Sequence, residues 1–209
     1  MFPERLGSGY RAFLEGRFAR ERERYVLLAQ GGQRPEIMVI GCVDSRVSPE
    51  AIFDAAPGEL LVVRNVANIV PTCDPDRASQ HGTSAAIEFG VQALRVKHIV
   101  VLGHAQCGGI RAFAGKSQKL SEGDFIGHWM AQITPAASGL QCDGGSDDYL
   151  HRLELAAIEL SLANLLTFPW VREAVERGEL TLHGAYFGVA SGRLLVRDEE
   201  TGRFEPFSH

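Results

Sequence analysis

Three short apolar runs constrain this chain more than any other feature: Ile37-Met38-Val39-Ile40, Leu60-Leu61-Val62-Val63 and His98-Ile99-Val100-Val101-Leu102. Each has the length of a strand, is rich in β-branched residues and is continuous rather than alternating, which is the pattern of a strand covered on both faces. Between them lie a short helical stretch after Pro49 and a longer one around Ser84 to Leu94, with Ile87, Val91 and Leu94 at i, i+4 and i+7. Strands alternating with helices predict parallel pairing, because a parallel neighbour is reached only by a crossover. From Tyr10 to Gln30 the residues Tyr10, Phe13, Leu14, Phe18, Tyr25 and Leu28 recur near helical spacing among Arg and Glu, as in an amphipathic helix. After a Gly- and Asp-rich loop from Gln141 to Asp148 come a helix from about Tyr149 to Leu166 and a second one opened by Pro169 and stopped by Gly178. Leu180 to Val189 and Leu194 to Val196 flank a Ser191-Gly192 turn and read as a hairpin. The expected architecture is α/β: a central, mainly parallel β-sheet flanked by helices, with an N-terminal helical arm and a C-terminal hairpin. It forms a single domain over 1–209, in which 1–32 is the arm and 33–209 the core.

Composition removes several function classes. With a net charge of −5 and its Lys and Arg scattered, the chain lacks the basic concentration that phosphate binding needs, so no nucleic-acid partner is expected. The charged N-terminal stretch after Met1-Phe2-Pro3 carries no run of signal-peptide length, and no segment is apolar enough to span a bilayer; no membrane partner and a cytoplasmic location are expected. Cys42, Cys73, Cys107 and Cys142 are too few for a secreted disulfide framework of this size, and a reducing compartment leaves them free to bind metal.

Cys42 follows the first apolar run and His104 the third, so both side chains are expected at the carboxyl edge of the sheet, where α/β folds build sites. Cys107 lies three residues beyond His104, ahead of Gly108-Gly109 and a helix start that favours a thiolate. Two thiolates and an imidazole suit zinc, and three protein ligands leave a fourth position open. Singly, each reads as a buried thiol or a loop histidine. The combination is specific because Asp44 and Arg46 stand two and four residues after Cys42. Cys73 and Cys142 lack paired spacing and read as ordinary thiols.

Cys42-x-Asp44-x-Arg46 followed by His104-x-x-Cys107-Gly108-Gly109 resembles the β-carbonic anhydrases, and in particular their plant-type branch. Flanking segments agree: Pro57-Gly58-Glu59, Arg64-Asn65-Val66-Ala67-Asn68 and Gly82-Thr83-Ser84-Ala85-Ala86-Ile87-Glu88. The resemblance implies one Zn2+ per subunit on Cys42, His104 and Cys107, and reversible hydration of carbon dioxide to bicarbonate and a proton by zinc-bound hydroxide. It gives Asp44 the hydrogen bond of that hydroxide and Arg46 the task of holding Asp44. In some members the acid instead moves onto the metal at low pH, so Asp44 is also a possible metal ligand. That gated form uses an aromatic where this chain has Val39; without it an anion role for Arg64 is doubtful, and an open site is the favoured reading. Gln33 matches a glutamine that serves the substrate from a neighbouring subunit, which implies a homodimer or tetramer. Leu61, Val66 and Phe89 match pocket walls, and the amide of Gly108 an anion donor. No proton shuttle is assigned among His81, His128, His151 and His183. Two alternatives share the motif: a carbon disulfide or carbonyl sulfide hydrolase, and a noncatalytic zinc module in which Asp44 fills the fourth position.

Overall fold

The computed structural model describes residues 1–74, 82–115, 119–141 and 146–208. Its centre is a six-stranded sheet in the order β2-β1-β3-β4-β5-β6, formed by β1 (Ile37–Cys42), β2 (Leu60–Asn65), β3 (His98–His104), β4 (Thr181–Phe187), β5 (Leu194–Arg197) and β6 (Phe204–Pro206). β2, β1, β3 and β4 run parallel, while β5 and β6 are added antiparallel. The sheet is therefore mainly parallel, as expected, and the C-terminal hairpin gains a third strand. β6 is three residues long, too short for an apolar signature of its own.

The helices are α1 (Glu4–Phe13), α2 (Ala19–Gly31), α3 (Pro49–Ile52), α4 (Gly82–Glu88), α5 (Gly108–Ala114), α6 (Phe125–Met130), α7 (Thr134–Ser138), α8 (Asp147–Leu165) and α9 (Pro169–Glu176). A π-helical segment, Leu14–Phe18, joins α1 to α2, and another, Phe89–Leu94, continues α4. α8 opens on Ser146, whose hydroxyl accepts the N–H of Tyr149, the usual way to satisfy a free donor of a first turn. Asp147 and Asp148 lie inside that first turn, where negative charge is favoured, so the loop expected to reach Asp148 ends sooner.

Met38, Ile40, Ile99 and Val101 pack on one face of the sheet against Ile87, Ile158, Leu165 and Val171 from α4, α8 and α9. The helix–sheet approach is close at Gly103, where a Cβ would stand 2.6 Å from the Ile158 side chain. The opposite face is covered thinly. Val39, Leu102 and Ala185 are buried there, but Ile37, Leu60, Val62 and Val100 stay half-buried, and among the described residues the apolar side chains packed with them are Ile52 of α3, Phe187 and Leu194. The expectation of burial on both faces is thus met on one face only within a single chain. Likewise, α1 and α2 have no buried residue, so the apolar stripe of the arm does not join this chain's core.

Candidate metal centre

β1 and β3 are adjacent and parallel, in a register that sets Ile37 beside His98 and Gly41 beside Leu102. Cys42 and His104 are the last residues of these strands rather than the first residues beyond them, so the ladder itself aims both at the carboxyl edge. Cys107 follows after a short turn in which Gln106 takes a left-handed conformation (φ 58), and it precedes α5 in an extended conformation. The sulfur of Cys42, a ring nitrogen of His104 and the sulfur of Cys107 all lie within 4.8 Å of one another, and all three residues are buried. Among the described residues this is the one such group.

His104 is 1% exposed. Its Nδ1 faces the carbonyl of Ala105 at 2.9 Å, which fixes the N–H on that nitrogen and leaves the Nε2 lone pair free. Nε2 is buried and has no hydrogen-bond partner, an arrangement that native interiors avoid unless a ligand completes it. The two sulfurs are 4.0 Å apart. The hydrogen bond from Cys107 lowers the pKa of Cys42, helped by backbone N–H groups of Asp44 and Ala67 aimed at its sulfur. The same contact, with burial, raises Cys107 above an ordinary thiol. An orphaned imidazole nitrogen facing a thiolate pair fits a borderline-soft cation such as zinc.

Asp44 stands beside this group, its Oδ2 3.9 Å from His104 Nε2. Arg46 binds it as a fork: Nε donates to Oδ1 at 2.9 Å and the Arg46 terminal amine donates to Oδ2 at 2.7 Å. These bonds hold the carboxyl well below the usual carboxylate range. Arg46 also donates to the carbonyl of Gln106, so one guanidinium ties the Cys42 loop to the Cys107 turn. Val66 and Gly108 are brought to the same place: Val66 packs in the apolar cluster around both cysteines, and Gly108 opens α5 on the exposed side. Gly109 admits no side chain, since a Cβ would meet Val66 at 2.8 Å.

The remaining residues singled out in the sequence stand apart from this cluster. Gln33 is exposed and precedes β1, at the amino edge. Leu61 pairs with Met38, four register positions from Cys42. Phe89 is 47% exposed and is not among the residues packed around the two cysteines. His81 and Cys142 lie outside the described residues.

Three supporting residues lie outside the ligand and Asp-Arg motifs. Arg64 donates to the carbonyls of Cys42, Asp44 and Val47, so its guanidinium latches the loop that carries the acid. Trp129 donates from Nε1 to the carbonyl of Val66, bracing a turn in which Ala67 and Asn68 are both left-handed. Glu154 accepts the N–H of Cys107 from within α8. Its signal in the sequence is a charge at helical spacing from Leu150, Ala157, Ile158 and Ser161, on the face that α8 buries.

The carbonic anhydrase family model matches residues 37–194. Over 179 residues the chain is 37% identical to beta carbonic anhydrase 5, chloroplastic, of Arabidopsis thaliana, a match covering 84% of this chain and 58% of that protein. The chain belongs to the β-carbonic anhydrase family. Among solved structures, the β-carbonic anhydrase CcaA superposes with a TM-score of 0.87 at 29% identity, over 99% of this chain and 92% of that one. A tetrameric β-carbonic anhydrase of Sordaria macrospora gives 0.77 at 30% identity, over 92% and 95%. This β-carbonic anhydrase spans little more than half the length of its Arabidopsis relative. Among its described residues no helix is long and apolar enough to cross a membrane.

Proposed function

We propose that this chain catalyses the reversible hydration of carbon dioxide to bicarbonate and a proton with one zinc ion per subunit. The observation that carries the proposal is a buried Cys42–His104–Cys107 group with an unpartnered imidazole nitrogen, set beside a carboxylate already held by an arginine fork. Cys42, His104 and Cys107 would hold the ion. When bound, zinc supplies the positive charge that acidifies water and makes a strong nucleophile available near neutral pH.

The chain's own residues supply orientation. Asp44 is an acceptor pointed at the His104 side of the group; held there by Arg46, it takes the hydrogen bond of the attacking water and aims a lone pair at the substrate carbon. The fork fixes the carboxylate plane as well as its charge, which a lysine in place of Arg46 would not do. Val66 gives a nonpolar substrate an apolar wall, and the exposed backbone of Gly108 is available to a bicarbonate oxygen. With Asp44 satisfied by Arg46, we read the site as open, with Asp44 serving as acceptor rather than fourth ligand.

Gln33 and Leu61 belong to the amino half of the sheet, and the four register positions from Leu61 to the level of Cys42 already span about 13 Å, so within one chain they do not reach the carboxyl-edge site. They are supplied, with Phe89, by a second copy, in a homodimer or a tetramer like that described for the Sordaria protein. Unpaired Cys42, Cys73 and Cys107 suit a reducing, cytoplasmic compartment.

The test is stopped-flow carbon dioxide hydration across pH 6.5 to 9 on protein of measured zinc content. Zinc-dependent turnover that rises with pH is expected, because two thiolates neutralise much of the charge that acidifies the water. Zinc-loaded protein inactive toward carbon dioxide at every pH would overturn the proposal, and activity toward carbon disulfide instead would identify the hydrolase.

A further inference from the structure

Glu154 is a carboxylate only 5% exposed, inside a helix face that otherwise packs on the core. Its two oxygens have separate tasks. Oε1 accepts the backbone N–H of Cys107 at 2.9 Å, and Oε2 accepts the hydroxyl of Tyr186 at 2.7 Å. The Tyr186 oxygen in turn faces Nδ1 of His151 at 3.0 Å. A line of contacts therefore runs from the Cys107 backbone, through α8, to β4.

The three proposed ligands are not held alike. Cys42 and His104 end β-strands, and their neighbours are fixed by the ladder. Cys107 lies beyond the sheet, after the left-handed Gln106, and its own N–H precedes the first turn of α5, where no helix carbonyl accepts it. It is the ligand whose placement the sheet leaves undetermined, and Glu154 grips its backbone N–H.

We propose that Glu154 is a positioning residue of the metal centre: by holding the Cys107 N–H, with Tyr186 bracing its other oxygen, it sets the direction of the Cys107 sulfur. The inference rests on reading Cys42, His104 and Cys107 as the zinc ligands, and deepens that reading. Groups that orient a metal ligand from behind typically change metal affinity by about 10–100-fold when removed. A purely architectural Glu154 would instead change the stability of the metal-free fold and leave the affinity alone.

The two roles separate by chelator competition for zinc, the absorption spectrum of the cobalt-substituted protein, and thermal midpoints of the metal-free form. The proteins are the wild type, Glu154→Ala, Glu154→Gln and Tyr186→Phe. Glu154→Ala is expected to bind zinc about 10–100-fold more weakly and to shift the sulfur-to-cobalt charge-transfer bands. Glu154→Gln should recover affinity to within about threefold, since its amide oxygen still accepts the Cys107 N–H while Tyr186 turns its hydroxyl toward His151. Wild-type zinc affinity and an unshifted cobalt spectrum in Glu154→Ala would overturn the inference, however far the metal-free midpoint falls. If Glu154→Ala does not fold, Tyr186→Phe decides: about threefold or more weaker binding supports the strut, and unchanged binding overturns it. A wild-type chain that takes up no stoichiometric zinc fails the metal reading itself, a result seen before any variant is made.

Discussion

Asp44 and Cys107 lie close together yet are asked to do different things, and substitution separates them. Cys107→Ser removes a soft donor from a set of three and should strip the metal. Asp44→Asn keeps the shape and one acceptor oxygen but loses the charge that Arg46 grips; it should retain about one zinc per chain and lose about 10²–10⁴-fold in kcat/KM, the range for a positioned acid–base group. Zinc analysis beside the hydration assay checks both, and equal zinc loss in the two variants would make Asp44 chiefly a ligand. The motif residues could be read from the sequence because their chemistry is carried by type and spacing. Arg64 shows the limit of such reading. An exposed arginine near the end of a strand gives no sign that it donates to the carbonyls of Cys42, Asp44 and Val47, because carbonyl partners leave no trace in side-chain pattern.

At the scale of elements, the parallel strands were legible because continuous apolar runs are hard to place anywhere but in a sheet. The π-helical turns and β6 were not, since a one-residue change of helical period and a three-residue edge strand hardly alter the apolar pattern. Cross-strand polar pairs are equally silent in sequence, and one of them makes a prediction. On β3 and β4, His98 Nδ1 and His183 Nε2 are 3.1 Å apart, and Glu199, following β5, lies 3.8 Å from His183 Nδ1. Burial and the neighbouring His98 lower the pKa of His183, against the opposing pull of Glu199. A histidine with a depressed folded pKa takes up its proton in the unfolded chain first, so its contribution is intact above its unfolded value of about 6.5 and is lost as pH falls below it. Between pH 7.5 and 5.5 the thermal midpoint of the wild type should therefore fall further than that of His183→Gln. The extra fall should be small, on the order of 1–2 °C, because the pair is partly open to solvent. Equal falls in the two proteins would assign the acid sensitivity elsewhere.

The whole molecule has apolar surface where a lone chain should not. Leu6 and Tyr10 are 56% and 60% exposed on the arm, with Leu14 further along the same stripe, and the sheet face bearing Leu60, Val62 and Val100 is only half-covered. A cavity of about 540 Å³ on that face is lined by Ile37, Val39, Phe53 and Leu60, with Arg24 of the arm at its wall. Apolar surface so arranged marks an association site. It also bears on the metal centre, because the role proposed for Gln33 and Leu61 requires another copy to bring them there. The two observations make one prediction: Leu6→Glu combined with Tyr10→Glu adds two charges to the stripe without touching a buried residue of the chain. The double variant should run as a smaller species in size-exclusion chromatography with light scattering at micromolar concentration. It should still take up zinc through Cys42, His104 and Cys107, which come from a single chain, yet lose about tenfold or more in kcat/KM, since the substrate-facing groups leave with the partner. A dissociated variant with full activity would mean that each chain completes its own pocket. An undissociated one would move the association surface from the arm to the open sheet face alone.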